Sequence, residues 1–344
     1  MSATRQQLLD LAAQGHRAPI GTHLVLHRHQ HPHEIQLDGD RLGGVIAEAA
    51  THYNTPLAMP LMDLSIEKEC LLQHLDIPAE QIESYHFSAP PPCIESFPAT
   101  AKMNSACDAI RFVAGQPGLM PMGMSIGPFS LMTKLVADPI TPVFLAGTGL
   151  GPDDEMEIAV AERAIQVGTA LVLQYVEAQS RAGARAIIVC EPAANLVFFS
   201  PNQLAESHEI FERYVMEPMR RIKARIEAAG AELVFHDCGE LTPGMVSRIA
   251  GLDAAMVSLG SSRNLWADAA QFPASTVLYG NLPTKSFYSP QLTPELVAER
   301  ASELARRMRE SGHPFILGSE CDVLSVPGQE GPLMNKVMTF LRAP

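Results

Sequence analysis

The chain has no excess of positive charge, no long apolar run and no regular cysteine framework. Of its 344 residues, 25 are Lys or Arg and 38 are Asp or Glu, for a net charge of -13. That balance argues against nucleic acid or an anionic membrane as the main partner, because either would be repelled by the protein's own field. No apolar stretch approaches the roughly 20 residues that a membrane span requires. The first residues, Met1-Ser-Ala-Thr-Arg-Gln-Gln, lack the charged-then-apolar plan of a secretory signal. The six cysteines are scattered without framework spacing. Together these absences predict a cytoplasmic protein with reduced thiols, in which cysteine packs or binds metal rather than forming bridges. Internal repeats and low-complexity linkers are absent too, so no composition break marks a second domain.

What the chain does have is a regular alternation of short apolar runs with longer amphipathic stretches. Residues 56–62, 82–87, 121–126, 184–190, 231–235, 254–259, 276–279 and 314–317 read as strands. Helix patterns cover 155–182, 201–229 and 292–311, with starts at Ser200-Pro201 and Thr293-Pro294-Glu295 that suit amino-terminal capping. Eight strands alternating with helices predict an α/β fold, a (β/α)8 barrel with an amino-terminal extension. The division expected is an arm and helix over 1–50 and the barrel over 51–344. A doubly wound sheet is the structural alternative.

Three side chains able to bind a soft metal stand where apolar runs give way to loops. His236 and Cys238 lie in Glu232-Leu-Val-Phe-His-Asp-Cys-Gly239, and Cys321 lies in Phe315-Ile-Leu-Gly-Ser-Glu-Cys-Asp322. If both runs are strands of one parallel sheet, the three emerge together at its carboxyl edge, where such folds keep their active sites. Residues two apart on a strand share a face, so His236 and Cys238 can reach one ion while Asp237 points away. Zn2+ favours thiolate and neutral imidazole, and three protein ligands leave a fourth position for an exogenous group. A thiol entering there would lose its proton on coordination. The competing reading is a strand-end histidine with two buried free cysteines.

Other rim candidates carry their own alternatives. Glu191, ending the run Ile187-Ile-Val-Cys-Glu, either orients substrate or caps a helix. Asn281, after Tyr279-Gly280, either lines the pocket or follows a tight strand-to-loop turn. His27, His29, His31 and His33 alternate as on an extended metal-binding face, although a solvated arm explains them as well. Cys70, Cys93 and Cys107, and the methionines of Met120-Pro-Met-Gly-Met124, read as packing residues.

The segments Pro60-Leu-Met-Asp-Leu-Ser-Ile-Glu67, Gly127-Pro-Phe-Ser-Leu131, Phe199-Ser-Pro201, His236-Asp-Cys-Gly239, Gly280-Asn-Leu282 and Leu317-Gly-Ser-Glu-Cys321 resemble the uroporphyrinogen decarboxylase superfamily. Within it they resemble the zinc-dependent methyltransferases, which move a methyl group between a corrinoid and a thiol such as coenzyme M. The resemblance runs from about residue 45 to the carboxyl end. It implies zinc on His236, Cys238 and Cys321, and a substrate pocket that includes Asp63 and Ser319. It also implies a corrinoid that is not permanently bound, supplied as a corrinoid protein or free methylcobalamin, and a small thiol as the second substrate. A homodimer is one assembly open to it. The chain departs from the decarboxylase branch in its amino-terminal region, Leu24-Val-Leu-His-Arg-His-Gln-His-Pro-His-Glu34, where Arg28 stands alone in place of an Arg-rich motif. Lys134 replaces a tyrosine of that branch, and Gly318-Ser319 replaces a Gly-His. Two alternatives follow: a metal-free decarboxylase, and a non-catalytic protein that binds corrinoid or zinc.

Overall fold

The computed structural model describes all 344 residues. Eight parallel strands are Arg17–Ala18 (β1), Leu57–Ala58 (β2), Met120–Ile126 (β3), Ala186–Cys190 (β4), Glu232–Asp237 (β5), Met256–Leu259 (β6), Val277–Leu282 (β7) and Phe315–Ser319 (β8). They hydrogen-bond in the order β1-β8-β7-β6-β5-β4-β3-β2, with helices between successive strands. The architecture is a nearly closed (β/α)8 barrel, whose one gap in the ladder falls between β1 and β2.

Two expectations about the first strands fail. The run 82–87 is not a strand: it follows a 3-10 turn at Ala79–Gln81 and packs Ile82, Tyr85 and Phe87 on the core as irregular chain. The first barrel strand is instead Arg17–Ala18, inside the segment 1–50 expected to be an arm, so the barrel begins well before residue 51. Two residues, one of them charged, carry no readable alternation. Tertiary bonds hold them: Tyr279 donates its hydroxyl to Ala18 O (2.7 Å), and Ser319 Oγ accepts from Ile20 N (2.9 Å). Before β1, helix Ala3–Ala13 buries Leu8 and Leu11 against the barrel interior.

The interior follows the period-two rule of strands. Ala186, Ile188 and Cys190 of β4 and Val234 of β5 join the inner cluster, whereas Ile187, Val189, Leu233 and Phe235 pack against the helices. Met59, Met120, Met122, Met124 and Met256 fill much of the inside, as expected for an adaptable core residue. His236 therefore lies on the inward register of β5, opposite Cys190 of β4.

β2 stops after two residues while β3 continues, which would leave backbone groups of β3 unpaired on that side. Two side chains take the place of the missing strand. Gln179 accepts from Met124 N (2.8 Å) and donates to Met124 O (2.9 Å). Glu67 Oε1 accepts from Ile126 N (3.2 Å) and from Ser125 Oγ (2.6 Å). Gly123 makes room for this repair, since a Cβ there would lie 2.1 Å from Gln179 Oε1. Burial pushes the Glu67 carboxyl up to about 7, against the opposing bonds from Ser125 and Ile126. The folded chain thus holds a proton that the unfolded chain releases near the ordinary 4.5. Stability is expected to fall as pH rises between those values, with the loss complete above about 7. Melting temperatures across that window should decline in the native protein and decline less in Glu67→Gln, which mimics the protonated acid. Equal slopes would show that Glu67 does not titrate there.

Candidate metal centre

β5 and β8 end on the same face of the barrel, and their continuations bring His236, Cys238 and Cys321 together. The three candidate ligand atoms all lie within 4.8 Å of one another, and no other group of three or more such residues converges in the chain. A tetrahedral zinc ion with bonds of about 2.0–2.3 Å needs donors roughly 3.5–3.8 Å apart, a spacing to which this cluster can contract.

The histidine supplies the sharper test of fit. His236 is buried, and its Nδ1 lies 2.9 Å from Ser258 Oγ at the end of β6. That bond leaves Nε2 as the free nitrogen, and Nε2 is buried with no hydrogen-bond partner. An orphaned polar atom of this kind is costly unless something completes it. A metal ion would do so, and Ser258 would then act as the outer partner that fixes the ring's tautomer and orientation. The donor set, one imidazole and two thiols, suits zinc.

The thiols are already biased toward coordination. The adjacent Cys321 thiol, outweighing burial and aided by His236 and the Lys285 ammonium, holds Cys238 well below the usual thiol range. Cys321 in turn is pushed up by Cys238 and by burial. The pair therefore keeps one thiolate beside one thiol, the state from which a soft cation displaces the second proton. Asp237, between the ligands, turns out of the group: its Oδ1 accepts from Gly239 N (2.8 Å), and burial drives its carboxyl well above the carboxylate range.

The remaining rim candidates are placed unequally. Met62 Sδ lies 4.0 Å from Cys321 Sγ, so the loop carrying Asp63 borders the centre. Asp63 itself accepts from Ser65 and from Lys102 Nζ (3.3 Å), and Lys102 also pairs with Glu69 (2.6 Å). Burial opposes ionisation of Asp63, but the Ser65 and Lys102 contacts prevail and its acidity is increased.

Glu191 takes the capping role rather than a rim role. Its two oxygens accept from Phe129 N (3.1 Å) and Ser130 N (2.7 Å) at the start of helix Pro128–Leu135. Gly127 permits that approach, since a Cβ there would sit 2.2 Å from the carboxyl. Ser319 faces the β1–β8 seam, where its hydroxyl serves Ile20. Asn281 donates to Gly260 O (2.7 Å) and Arg263 O (2.9 Å), which ties the β6 loop to β7. The histidine tract is not one extended face. His23 and His27 meet through Nε2 atoms 2.9 Å apart, while His29 pairs with Glu48 (2.8 Å).

Ser258 and Lys285 were not singled out in the sequence. Ser258 was visible as a polar residue near the end of an apolar run. Lys285, in the β7 loop, donates to Cys238 O (3.0 Å) and has no sequence signal of its own.

Comparison with known proteins bears on the family and the fold. The sequence profile described as Uroporphyrinogen decarboxylase (URO-D) matches residues 76–327. Among solved structures, a methyltransferase from Methanosarcina mazei superposes with a TM-score of 0.67 at 14% identity, over 99% of this chain and 98% of that one. At such an identity the likeness is one of fold. No curated protein matches in a sequence search. Because the profile spans most of the chain, from the segment before β3 through β8, the chain belongs to the uroporphyrinogen decarboxylase family.

Proposed function

We propose that the protein is a zinc-dependent methyltransferase that moves a methyl group between a corrinoid and a small thiol. The observation that carries this reading is the buried, unpartnered Nε2 of His236 beside two thiols at the barrel mouth. Zinc bound by His236, Cys238 and Cys321 would supply a fourth position at which a thiol ionises near neutral pH.

The protein's own groups set the character of that position. Two thiolate ligands cancel the dication's charge, which favours a nucleophilic bound sulfur over activation of water. Ser258 holds the imidazole in place. The methionine-filled interior packs the barrel beneath the strand ends that carry the centre. In the proposed reaction the sulfur lone pair forms the sulfur–carbon bond, and the cobalt–carbon bond of the methylcorrinoid breaks with both electrons remaining on cobalt. The thiol proton passes to solvent. The corrinoid, free or on a carrier protein, must approach the carboxyl-terminal face, since transfer requires direct contact of sulfur and carbon.

Purified protein is expected to hold about one zinc per chain and to demethylate added methylcobalamin only when a thiol is present, seen as loss of the methyl–cobalt absorption. Absence of zinc, with no activation when it is added back, would sink the site. Family membership by itself also suits a metal-free decarboxylase. Release of carbon dioxide from a porphyrin or other cyclic acid, without thiol methylation, would install that reading instead.

A further inference from the structure

The end of the barrel opposite the metal centre carries a groove that no acid lines. β1 and β8 begin there, and helices Ala3–Ala13, Pro294–Ser311 and Glu330–Arg342 finish there. Two adjoining cavities of about 530 and 380 Å3 share Gly15, His16 and Arg17. Neither is lined by an Asp or a Glu, in a chain that has 38 of them.

Three arginines do line it: Arg17, Arg309 and Arg342. Arg17 Nη1 donates to Phe340 O (2.9 Å) and to the carbonyls of Leu341 and Ala343, which caps helix Glu330–Arg342. Its Nε and Nη2 donate to nothing in the chain. On the helix Pro294–Ser311, Arg306 and Arg307 are matched with Glu303, and Arg306 also with Glu310, whereas Arg309 forms no ion pair. Arg342 forms none either. Burial and then the Arg309 charge lower the Arg17 pKa, and no carboxylate acts against them. Cations at this end also offset the helix carboxyl termini, each of which carries about half a negative charge. Three such ends cancel about half of three guanidinium charges, so an excess of about one and a half positive charges stays on the groove.

We propose that this groove binds a small phosphate ester, with the dianion on Arg17 and Arg309 and an apolar body against Leu9, Met308 and Phe315. Guanidinium forks match phosphate oxygens two at a time, and a dianion between two of them turns their mutual repulsion into attraction. The three apolar residues line the same groove as the two arginines. A ligand there would tie β1 to helix Pro294–Ser311 beside the gap in the barrel ladder, so its effect falls on the stability of the closed barrel rather than on the chemistry at the mouth. The inference stands apart from the methyl-transfer reading.

The test is calorimetric titration of the native protein, Arg309→Gln and Arg309→Lys with phenyl phosphate at fixed ionic strength, with orthophosphate and phenyl sulfate as references. Phenyl phosphate is expected to bind saturably, and more tightly than orthophosphate, which lacks the apolar body, or phenyl sulfate, which carries one charge fewer. Arg309→Gln should weaken it about tenfold or more, as for loss of a charge-assisted hydrogen bond, and Arg309→Lys should lie between. The melting temperature of the native protein should rise with phenyl phosphate, and that of Arg309→Gln should rise less. Arg309 is exposed, so its replacement leaves the core intact. Absence of saturable binding, or equal binding in Arg309→Gln, would overturn the proposal. Phosphate can also meet a metal, so the titration is repeated after treatment with a zinc chelator: unchanged binding supports the groove, and lost binding moves the ligand to the metal centre and refutes it.

Discussion

Cys238→Ala is expected to lose its zinc and to lower the rate of thiol methylation by about a thousand-fold or more, the equivalent of roughly 4 kcal/mol of transition-state stabilisation. The fold should survive. None of His236, Cys238 and Cys321 belongs to the two buried apolar clusters, which hold 83 and 18 residues, and the strands that carry them are paired on both sides. Two observables separate the outcomes. Elemental analysis should read well below one zinc per chain, while circular dichroism and the melting curve stay close to those of the native protein. An unfolded Cys238→Ala would make the metal structural and would remove the support for catalysis. Cys321→Ser provides the second reading, since a hydroxyl fills the same space with a far poorer ligand for zinc. Retention of full activity in that variant would show that the thiol pair is not the metal site.

Ser258→Ala is expected to weaken metal binding by about 10–100-fold without touching a ligand atom, the usual effect of removing the outer partner of a ligating histidine. The ring would lose its bond at Nδ1, which in the native protein is 2.9 Å from the serine hydroxyl. It could then turn or adopt the other tautomer. Competition with a chelator of known zinc affinity measures this directly, and Ser258→Thr should recover much of the loss because it keeps the hydroxyl. An unchanged zinc affinity in Ser258→Ala would mean that packing alone orients the imidazole.

The legible part of this protein was periodic or local. β3 to β8 were readable because each is a nearly continuous apolar run, as strands buried on both faces must be. The trio was readable because strand ends are marked by the change from apolar to polar residues, and two-residue spacing on a strand fixes a shared face. β1 was illegible for the opposite reason. Arg17–Ala18 has no pattern and exists as a strand through bonds to β8, Tyr279 and Ser319, all remote in sequence. The false strand at 82–87 has apolar residues in strand-like density, but they cover the core beneath a loop, and apolar content by itself does not distinguish the two uses.

The same division runs through the site. Residue chemistry named the candidate metal ligands, and the resemblance of short motifs named the superfamily. Which way the polar side chains turn was decided elsewhere, because direction depends on partners that the chain meets only after folding. Glu191 turned to two backbone amides, Ser319 to the barrel seam, and Asn281 to the carbonyls of the β6 loop. Lys285, without a motif, came to rest against the carbonyl of Cys238. Sequence by itself determined the strand spacing and the donor atoms, since both follow from side-chain type and the two-residue period of a strand. The barrel's closure, the orientation of His236 and the position of Lys285 were decided by tertiary structure alone, because each is fixed by hydrogen bonds between segments far apart in the chain.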